Sequence, residues 1–209
     1  KLVSWVQGQA AERAAAERRA SEQAAQAEVA RVAAMRTRLT ELLDDTAESI
    51  LKRDLADATA RLRRACADVN LAGVSNEVAA ALRFVEALGE MPKLILKSFH
   101  AQTDQAVRLE MRDGTVESWT VAGTDADKVW VRQSVGKGMM AKQLVVADLS
   151  LEERQRRLGD DKRADLHVMR GLLALEARDQ AEAAALFAEA GALEKGDGKG
   201  PGVVAALVR

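Results

Sequence analysis

Large apolar residues are almost missing from the first part of the chain and then recur at helical spacing. From Gln7 to about Met35 the residues are mainly Ala, Glu, Arg and Gln, which are strong helix formers. Apolar residues then recur at intervals of three and four: Val29, Val32, Met35, Leu39 and Leu42. Such spacing predicts a helix to about Asp45 with one apolar face that needs a partner. Its first part is a projecting stalk or a weak alanine-seamed coiled coil, with a solvated spacer as the equal alternative.

Helical signals continue after this first helix. Asp54 is placed to cap a helix that runs to about residue 69. Ser75 or Asn76 is predicted to cap the next helix, and Gly89 to end it. Pro92 suits the first position of a short helix that carries apolar side chains inward.

Between residues 105 and 149 the apolar period changes from helical spacing to alternation. The first alternating set is Val107, Leu109 and Met111. Asp113-Gly114 and Gly136-Lys137-Gly138 are turn signals between short runs rich in Val and Trp. Four or five short strands cannot form a sandwich, so we expect a small, strongly bent antiparallel sheet or barrel of the SH3 or Sm type.

After the strands, helical patterns resume, and they include a segment that repeats an earlier one. Ser150 to Glu153 is a capping box. The run that begins Arg178-Asp179 repeats the one that begins Arg53-Asp54: a capping Asp, small alanines, then a large apolar residue, Leu62 or Phe187. We expect an α+β fold of four parts. These are a helical stalk (1–34), a helical domain (35–104), a small β-barrel or sheet (105–149), and a helical hairpin with a tail (150–209).

Residues 167–190 resemble a tetratricopeptide repeat. The small or aromatic residues that such repeats favour stand at Gly171, Ala183, Phe187 and Ala190. Ala58, Leu62 and Ala65 repeat the second half of this motif, with Thr46 in place of the Gly. The resemblance implies two degenerate helix hairpins, fewer than the three or more that form a superhelical groove.

The strand region resembles the first Sm motif in its alternating Val107 and Leu109, the Asp113-Gly114 turn and Val121. Trp119 stands where that family prefers Gly, and the Arg-Gly loop that helps bind RNA has no counterpart. The whole layout is weakly similar to the region after the membrane anchor of some bacterial receptor-like Ser/Thr kinases. The kinase signatures themselves are missing.

Composition and charge narrow the function classes. The net charge of the 209 residues is −1, and aromatic residues are 3% of the chain. Bulk charge therefore does not attract nucleic acid or an anionic membrane. The single cysteine, Cys66, excludes an intrachain disulfide, and we expect it to be a buried small hydrophobe.

The first residues leave the location of the protein open. The chain begins at Lys1, so we expect it to be a piece of a longer protein. Leu2, Val3, Trp5 and Val6 could be the end of a membrane span, but a leftover of cloning or an ordinary helix start explains them too. The protein is then either the soluble part of a membrane-anchored bacterial protein or cytoplasmic.

Catalytic, cofactor and metal sites are not predicted. His100 and His167 do not adjoin a nucleophile motif, and we assign His100 to capping and His167 to packing. The pairs Asp44-Asp45, Asp125 with Asp127, and Asp160-Asp161 lack the spacing of a cation site. Neither the Gly136 turn nor the glycine run over 196–202 is followed by the residues of a phosphate-binding loop.

The sequence thus predicts a non-enzymatic interaction or scaffolding module that binds a protein partner or itself. The candidate contact residues, expected to be exposed, are Val29, Val32, Met35, Trp119 and Trp130. The alternatives are an Sm-like RNA-binding module and an accessory region of a membrane-anchored kinase. No small-molecule substrate or cofactor is predicted.

Overall fold

A computed structural model describes residues 2–125, 127–159, 161–197 and 202–208. The fold is α+β, as predicted, with eight α-helices and a four-stranded antiparallel sheet in these residues. The helices are α1 (Leu2–Leu51), α2 (Leu55–Cys66), α3 (Ser75–Gly89), α4 (Met91–His100), α5 (Leu151–Arg157), α6 (Ala164–Glu176), α7 (Gln180–Asp197) and α8 (Val203–Leu207). The strands are β1 (Ala106–Glu110), β2 (Val116–Thr124), β3 (Val129–Val135) and β4 (Gly138–Leu144).

Helix α1 is continuous over its 50 residues, so it is about 75 Å long. Every side chain from 15 to 31 is exposed. From Met35 onward one face becomes buried, ending with Ile50, which is 0% exposed. The first part of α1 therefore projects from the body, and its last part belongs to the core. In the described chain no helix has an apolar run long enough to cross a membrane.

The repeated segment forms the same turn at Arg53-Asp54 and at Arg178-Asp179. Arg53 and Arg178 have φ values of 62° and 64°, the left-handed conformation that ends a helix. The next residue in each case closes a wider hydrogen bond, from Asp54 N to Ser49 O and from Asp179 N to Ala174 O, both at 2.9 Å. Each Asp then caps the following helix, as its Oδ1 accepts from the N–H three residues on. The predicted cap at Asp54 is confirmed.

Six of the described helices close into a ring although the sheet interrupts them in sequence. Helix α1 packs on α2, α2 on α3, α3 on α6, α6 on α7, α7 on α8, and α8 back on α1. The two hairpin turns also meet, because Arg53 donates to Leu172 O and to Glu176 Oε2, each at 2.5 Å. The apolar tail, predicted to dock as a helix or strand, docks as α8.

One predicted cap is wrong. Helix α3 begins at Ser75, but neither Ser75 nor Asn76 caps it with a side chain. A 3₁₀ helix over Val69–Val74 leads directly into α3, so the N–H of Ser75 is already bonded to Ala72 O. This 3₁₀ helix also ends α2 at Cys66, before the predicted residue 69. The end of α3 at Gly89 and the position of Pro92 in the first turn of α4 are confirmed.

The sheet is a meander in the order β1-β2-β3-β4, so β1 and β4 lie at its edges. Alternation works as predicted in β1, where Val107 and Leu109 are buried, and in β3, where Val129 and Val131 are buried. A bulge between Val121 and Gly123 shifts the register of β2 against β3. Such a bulge increases the twist of a sheet, and helix α4 packs against β2 on the buried face.

After β4 the chain pairs again beside β1, and the next helix is then joined to α4. After β4, the chain makes a 3₁₀ turn over Val146–Asp148 and returns to β1, where Met111 and Leu149 form a bridge. Helix α5 follows, and Ser150 Oγ accepts from Glu153 N at 3.0 Å, which confirms Ser150 as the cap. The reciprocal half of the predicted capping box is wrong, because Ser150 N donates to Glu110 O instead of to the Glu153 carboxylate. Glu153 is fully buried and accepts from Arg157 Nε at 2.8 Å. The Arg157 guanidinium also covers the Phe99 ring of α4 at 3.7 Å.

Candidate interaction surface

The β3–β4 hairpin extends beyond the packed part of the sheet. A two-residue loop, Gly136-Lys137, joins the strands, and Gly136 has a φ of 60° that favours glycine. The predicted turn is therefore confirmed. Residues 138 to 143 are all exposed, so β4 loses the alternation of the other strands, and burial returns only at Leu144.

Apolar side chains cluster at the end of this hairpin. Val135, Met139 and Met140 are 56%, 68% and 45% exposed. We call these three residues the hairpin tip. Met139 is opposite Ser134, and Met140 is opposite Gln133 on the other face, so the tip is apolar on both faces. Exposed apolar groups of this kind are typical of surfaces that bind a partner.

The hairpin is also basic. Lys128, Arg132, Lys137 and Lys142 lie between Asp127 and Asp148, and this stretch contains no Asp or Glu. Arg132 forms an ion pair with Asp104 at 3.0 Å. Lys142 Nζ lies 6.0 Å from the centre of the Trp119 ring. A cationic hairpin with an apolar tip therefore stands on a molecule whose net charge is only −1.

The five predicted contact residues differ in how exposed they are. Val29 on the stalk is 70% exposed, and Val32 is half-buried. Trp130 is 44% exposed, because it lies between the inward-facing Val129 and Val131. These side chains are accessible to different degrees, and whether a partner binds them stays a prediction.

The expected exposure is wrong at the other two residues. Met35 is 8% exposed because its thioether packs against the backbone of Gly73, where an added Cβ would lie 2.9 Å from Sδ. Trp119 is 2% exposed because it shares the inner face with Val121, and its indole N–H donates to Glu117 Oε2 at 2.8 Å. Both residues belong to the core.

The two histidines differ in burial and in the groups they contact. His100 is exposed, and its Nδ1 lies 3.4 Å from Thr124 Oγ1. His167 is buried, and its Nδ1 donates to Arg163 O at 2.9 Å. Its Nε2 lies 3.3 Å from Glu189 Oε2 across the α6–α7 hairpin. The packing role expected of His167 is confirmed.

Within the described ranges, no group of three or more His, Cys, Asp or Glu side chains is arranged to hold a metal ion. Asp160 and most of the glycine run after residue 197 lie outside the described residues. Cys66 is exposed, so the expectation that it is buried is wrong: it is the last residue of α2 and lies beyond the buried face of that helix.

A cavity of about 530 Å³ lies where β1 meets α5. Its lining includes Arg108, Arg156 and Arg157 together with the buried carboxylate of Glu153. Arg156 and Arg157 both bind that carboxylate, and Arg157 also donates to Gln102 Oε1. Two of the three arginines thus pair with the single carboxylate, and Arg157 also joins α5 to the turn after α4.

The hairpin tip was not among the predicted contact residues. A signal was present, because Met139 and Met140 are consecutive and cannot both face the core from one strand. The stretch without acidic residues between Asp127 and Asp148 was a second signal.

Comparison with models of protein families, with characterised proteins and with solved structures finds no match for this chain.

Proposed function

We propose that the protein is a non-catalytic interaction module that binds a partner protein through the β3–β4 hairpin. One observation carries the proposal: the hairpin tip is apolar, strongly exposed and carried by a sheet against which α4 and α5 pack. Exposing three large apolar side chains favours aggregation unless a partner covers them, so they indicate a binding role. The helical ring, which includes the end of the projecting α1, supports the sheet that carries the hairpin.

The repeats support a scaffolding role in finer detail. We propose that α1–α2 and α6–α7 are degenerate tetratricopeptide-like hairpins. The Phe187 ring fills the space left by the missing side chain of Gly171, and Ala183 and Ala190 are buried at 1% and 0%. In the first hairpin Thr46, Ala58 and Leu62 are each 0% exposed at the corresponding positions. The identical turns at Arg53 and Arg178 favour the same interpretation.

We propose that the sheet is a small, partly open barrel of the SH3-like type. The bridge between Met111 and Leu149 brings the end of the sheet back to β1 after a 3₁₀ turn. Hydrogen bonds of 2.8 Å from Arg112 N to Asp148 O and from Ser150 N to Glu110 O flank this bridge. We propose that these contacts close one corner of a strongly bent sheet, while the β3–β4 side stays open for a partner.

RNA binding is the second candidate, and one observation favours it: the four basic residues of the hairpin accompany an exposed Trp130. Basic side chains and a free aromatic ring are the elements of single-strand binding. The apolar tip argues for protein, because Val and Met side chains offer little to a phosphate backbone. A strongly salt-dependent affinity for single-stranded RNA would favour RNA binding over protein binding as the function.

Site-specific crosslinking tests the interaction. A photo-reactive amino acid replaces Met139 in one variant and Val69 in a control, since Val69 is 84% exposed but lies on the helical body. We expect one protein to be crosslinked from position 139 and not from position 69. That protein, purified separately, must then bind the wild-type chain. Equal products from both positions, or no binding by the purified protein, would contradict the proposal.

A further inference from the structure

Strand β4 has a free edge. It pairs with β3 from Gly138 to Leu144, and residues 138 to 143 are exposed, so nothing in the described chain covers its other side. In a two-residue hairpin the closing pair, here Val135 and Gly138, exchanges both of its hydrogen bonds. Alternation along β4 then directs the backbone N–H and C=O of Met139, Ala141 and Gln143 away from β3. These groups form a template for another strand.

The charge of Lys142 affects which strand can pair with this edge. It lies between Met140 and Leu144 on one face of β4, opposite Val131. Proteins often place Lys on an edge strand because its charge must be desolvated when another strand pairs there. An incoming strand with an apolar or basic residue opposite Lys142 is therefore disfavoured. A strand with a carboxylate at that position gains a cross-strand ion pair instead.

Charge also argues against a second copy of this chain as the occupant. Pairing of two β4 edges would bring together two hairpins that each carry four basic and no acidic residues between Asp127 and Asp148. The same charge favours an acidic partner. The apolar residues that flank Lys142, Met140 and Leu144, would lie beside apolar positions of that partner strand.

We propose that β4 binds an extended acidic segment of a partner protein by strand addition, with an Asp or Glu of that segment opposite Lys142 and apolar residues two positions to either side. This inference rests on the proposed interaction role and specifies how the partner is bound. The backbone of β4 supplies affinity, and Lys142 supplies selectivity.

A synthetic probe tests this mode without knowledge of the partner. The probe is the capped heptapeptide Thr-Val-Thr-Glu-Thr-Val-Thr, whose central Glu can face Lys142 in either strand direction. The full chain labelled with ¹⁵N is titrated with the probe, and amide shifts and amide hydrogen exchange are recorded. We expect saturable shifts in β4 and slower exchange at Met139, Ala141 and Gln143. A control probe with Lys in place of the central Glu should bind about tenfold more weakly.

Two variants of the protein separate strand addition from other contacts. Ala141→Pro removes one outward N–H but no bond to β3, and should weaken the probe about tenfold, whereas Ala141→Ser should leave its affinity unchanged. Lys142→Glu should reverse the preference, so that the Lys-containing probe binds more tightly than the Glu-containing one. The charge reversal does not depend on how well Ala141→Pro folds.

Failure of this mode can be told from failure of the interaction role. If the protein crosslinked from position 139 binds Ala141→Pro and Lys142→Glu as tightly as wild type, strand addition is overturned and the interaction role stands. Equal affinity of both probes, or shifts that avoid β4, overturns it as well. If single-stranded RNA, and neither peptide, shifts the β4 amides, both proposals fall.

Discussion

Gly171 and Phe187 set how closely α6 approaches α7. A Cβ at position 171 would lie 2.8 Å from Phe187 Cδ1, too close for an unshifted ring. This contact makes a small residue at 171 a requirement of packing, although Gly is a poor helix former.

We expect Gly171→Ala to lower the free energy of unfolding by about 1–3 kcal/mol, because the added methyl group overpacks the α6–α7 contact. Urea denaturation measures the change. Gly191→Ala in α7 is the matched control. Its Cβ would meet Val208 and Val204 at ordinary distances of 3.8 and 3.9 Å, so it should stabilise the protein by up to about 1 kcal/mol. If Gly171→Ala were as stable as wild type, the packing account would be wrong.

Glu194 makes the stability depend on pH. It is 8% exposed, its Oε1 accepts from Gly202 N at 3.1 Å, and burial raises its pKa above the ordinary value of 4.5 despite backbone hydrogen bonds from Gly202 and Ala205. A raised pKa in the folded state means that the folded protein binds the proton more tightly than the unfolded chain. The contribution to stability is thus complete at low pH and is lost as pH rises through the folded pKa.

Glu194→Gln keeps an oxygen acceptor for Gly202 but cannot ionise. We expect the variant and the wild type to be similar below pH 4.5, and the variant to become relatively more stable as pH rises above that value. Thermal unfolding of both proteins across this range measures the difference. A difference that shrinks as pH rises would show that the carboxylate is favoured in the folded state.

At the scale of elements, features that depend on nearby residues could be predicted from the sequence, whereas contacts between distant residues could not. The caps at Asp54, Ser150 and Asp179 depend on residues three positions away, so sequence sufficed. The burial of Met35 depends on Gly73, which no local pattern around Met35 reveals. Trp119 was readable in principle, because alternation places it on the face of Val121. The free edge of β4 depends on strand order, which the sequence pattern does not give.

The two hairpin turns differ in what their left-handed arginines do. Arg178 is exposed, and its left-handed backbone costs energy that Gly would avoid. Arg53 has the same backbone but also binds Glu176 and the carbonyl of Leu172. Burial alone would raise the pKa of Glu176, but hydrogen bonds from Arg154 and Arg53 lower it.

The same substitution should therefore have opposite effects at the two turns. We expect Arg178→Gly to stabilise the protein by about 0.5–1 kcal/mol, because it relieves the left-handed backbone. Arg53→Gly should destabilise it by about 1 kcal/mol, because the link between the hairpins is lost. Denaturant midpoints of the two variants measure this, and equal shifts would contradict the role given to Arg53.

At the scale of the whole molecule, a projecting helix continues into a ring of helices, and α4 and α5 connect that ring to the small sheet. The stalk has no buried side chain from 15 to 31, whereas Met35 is packed in the core. Deleting residues 1–28 should therefore leave the melting temperature within about 2 °C of wild type, since little apolar surface is lost. Deleting residues 1–36 is the contrast and should lower it by several degrees. A large loss in the shorter deletion would show that the stalk packs on the body.

We expect the partner to contact the β3–β4 hairpin and not the helical part. The Kd of the partner identified from position 139 is measured for two variants of the full chain. Val135→Ser, Met139→Ser and Met140→Ser together remove the hairpin tip, and Val29→Ser with Val32→Ser alters the stalk. We predict a loss of about tenfold or more for the first variant and less than about twofold for the second, since anchor residues in the contact carry most binding energy. Unchanged affinity of the hairpin variant, or a greater loss in the stalk variant, would contradict the account.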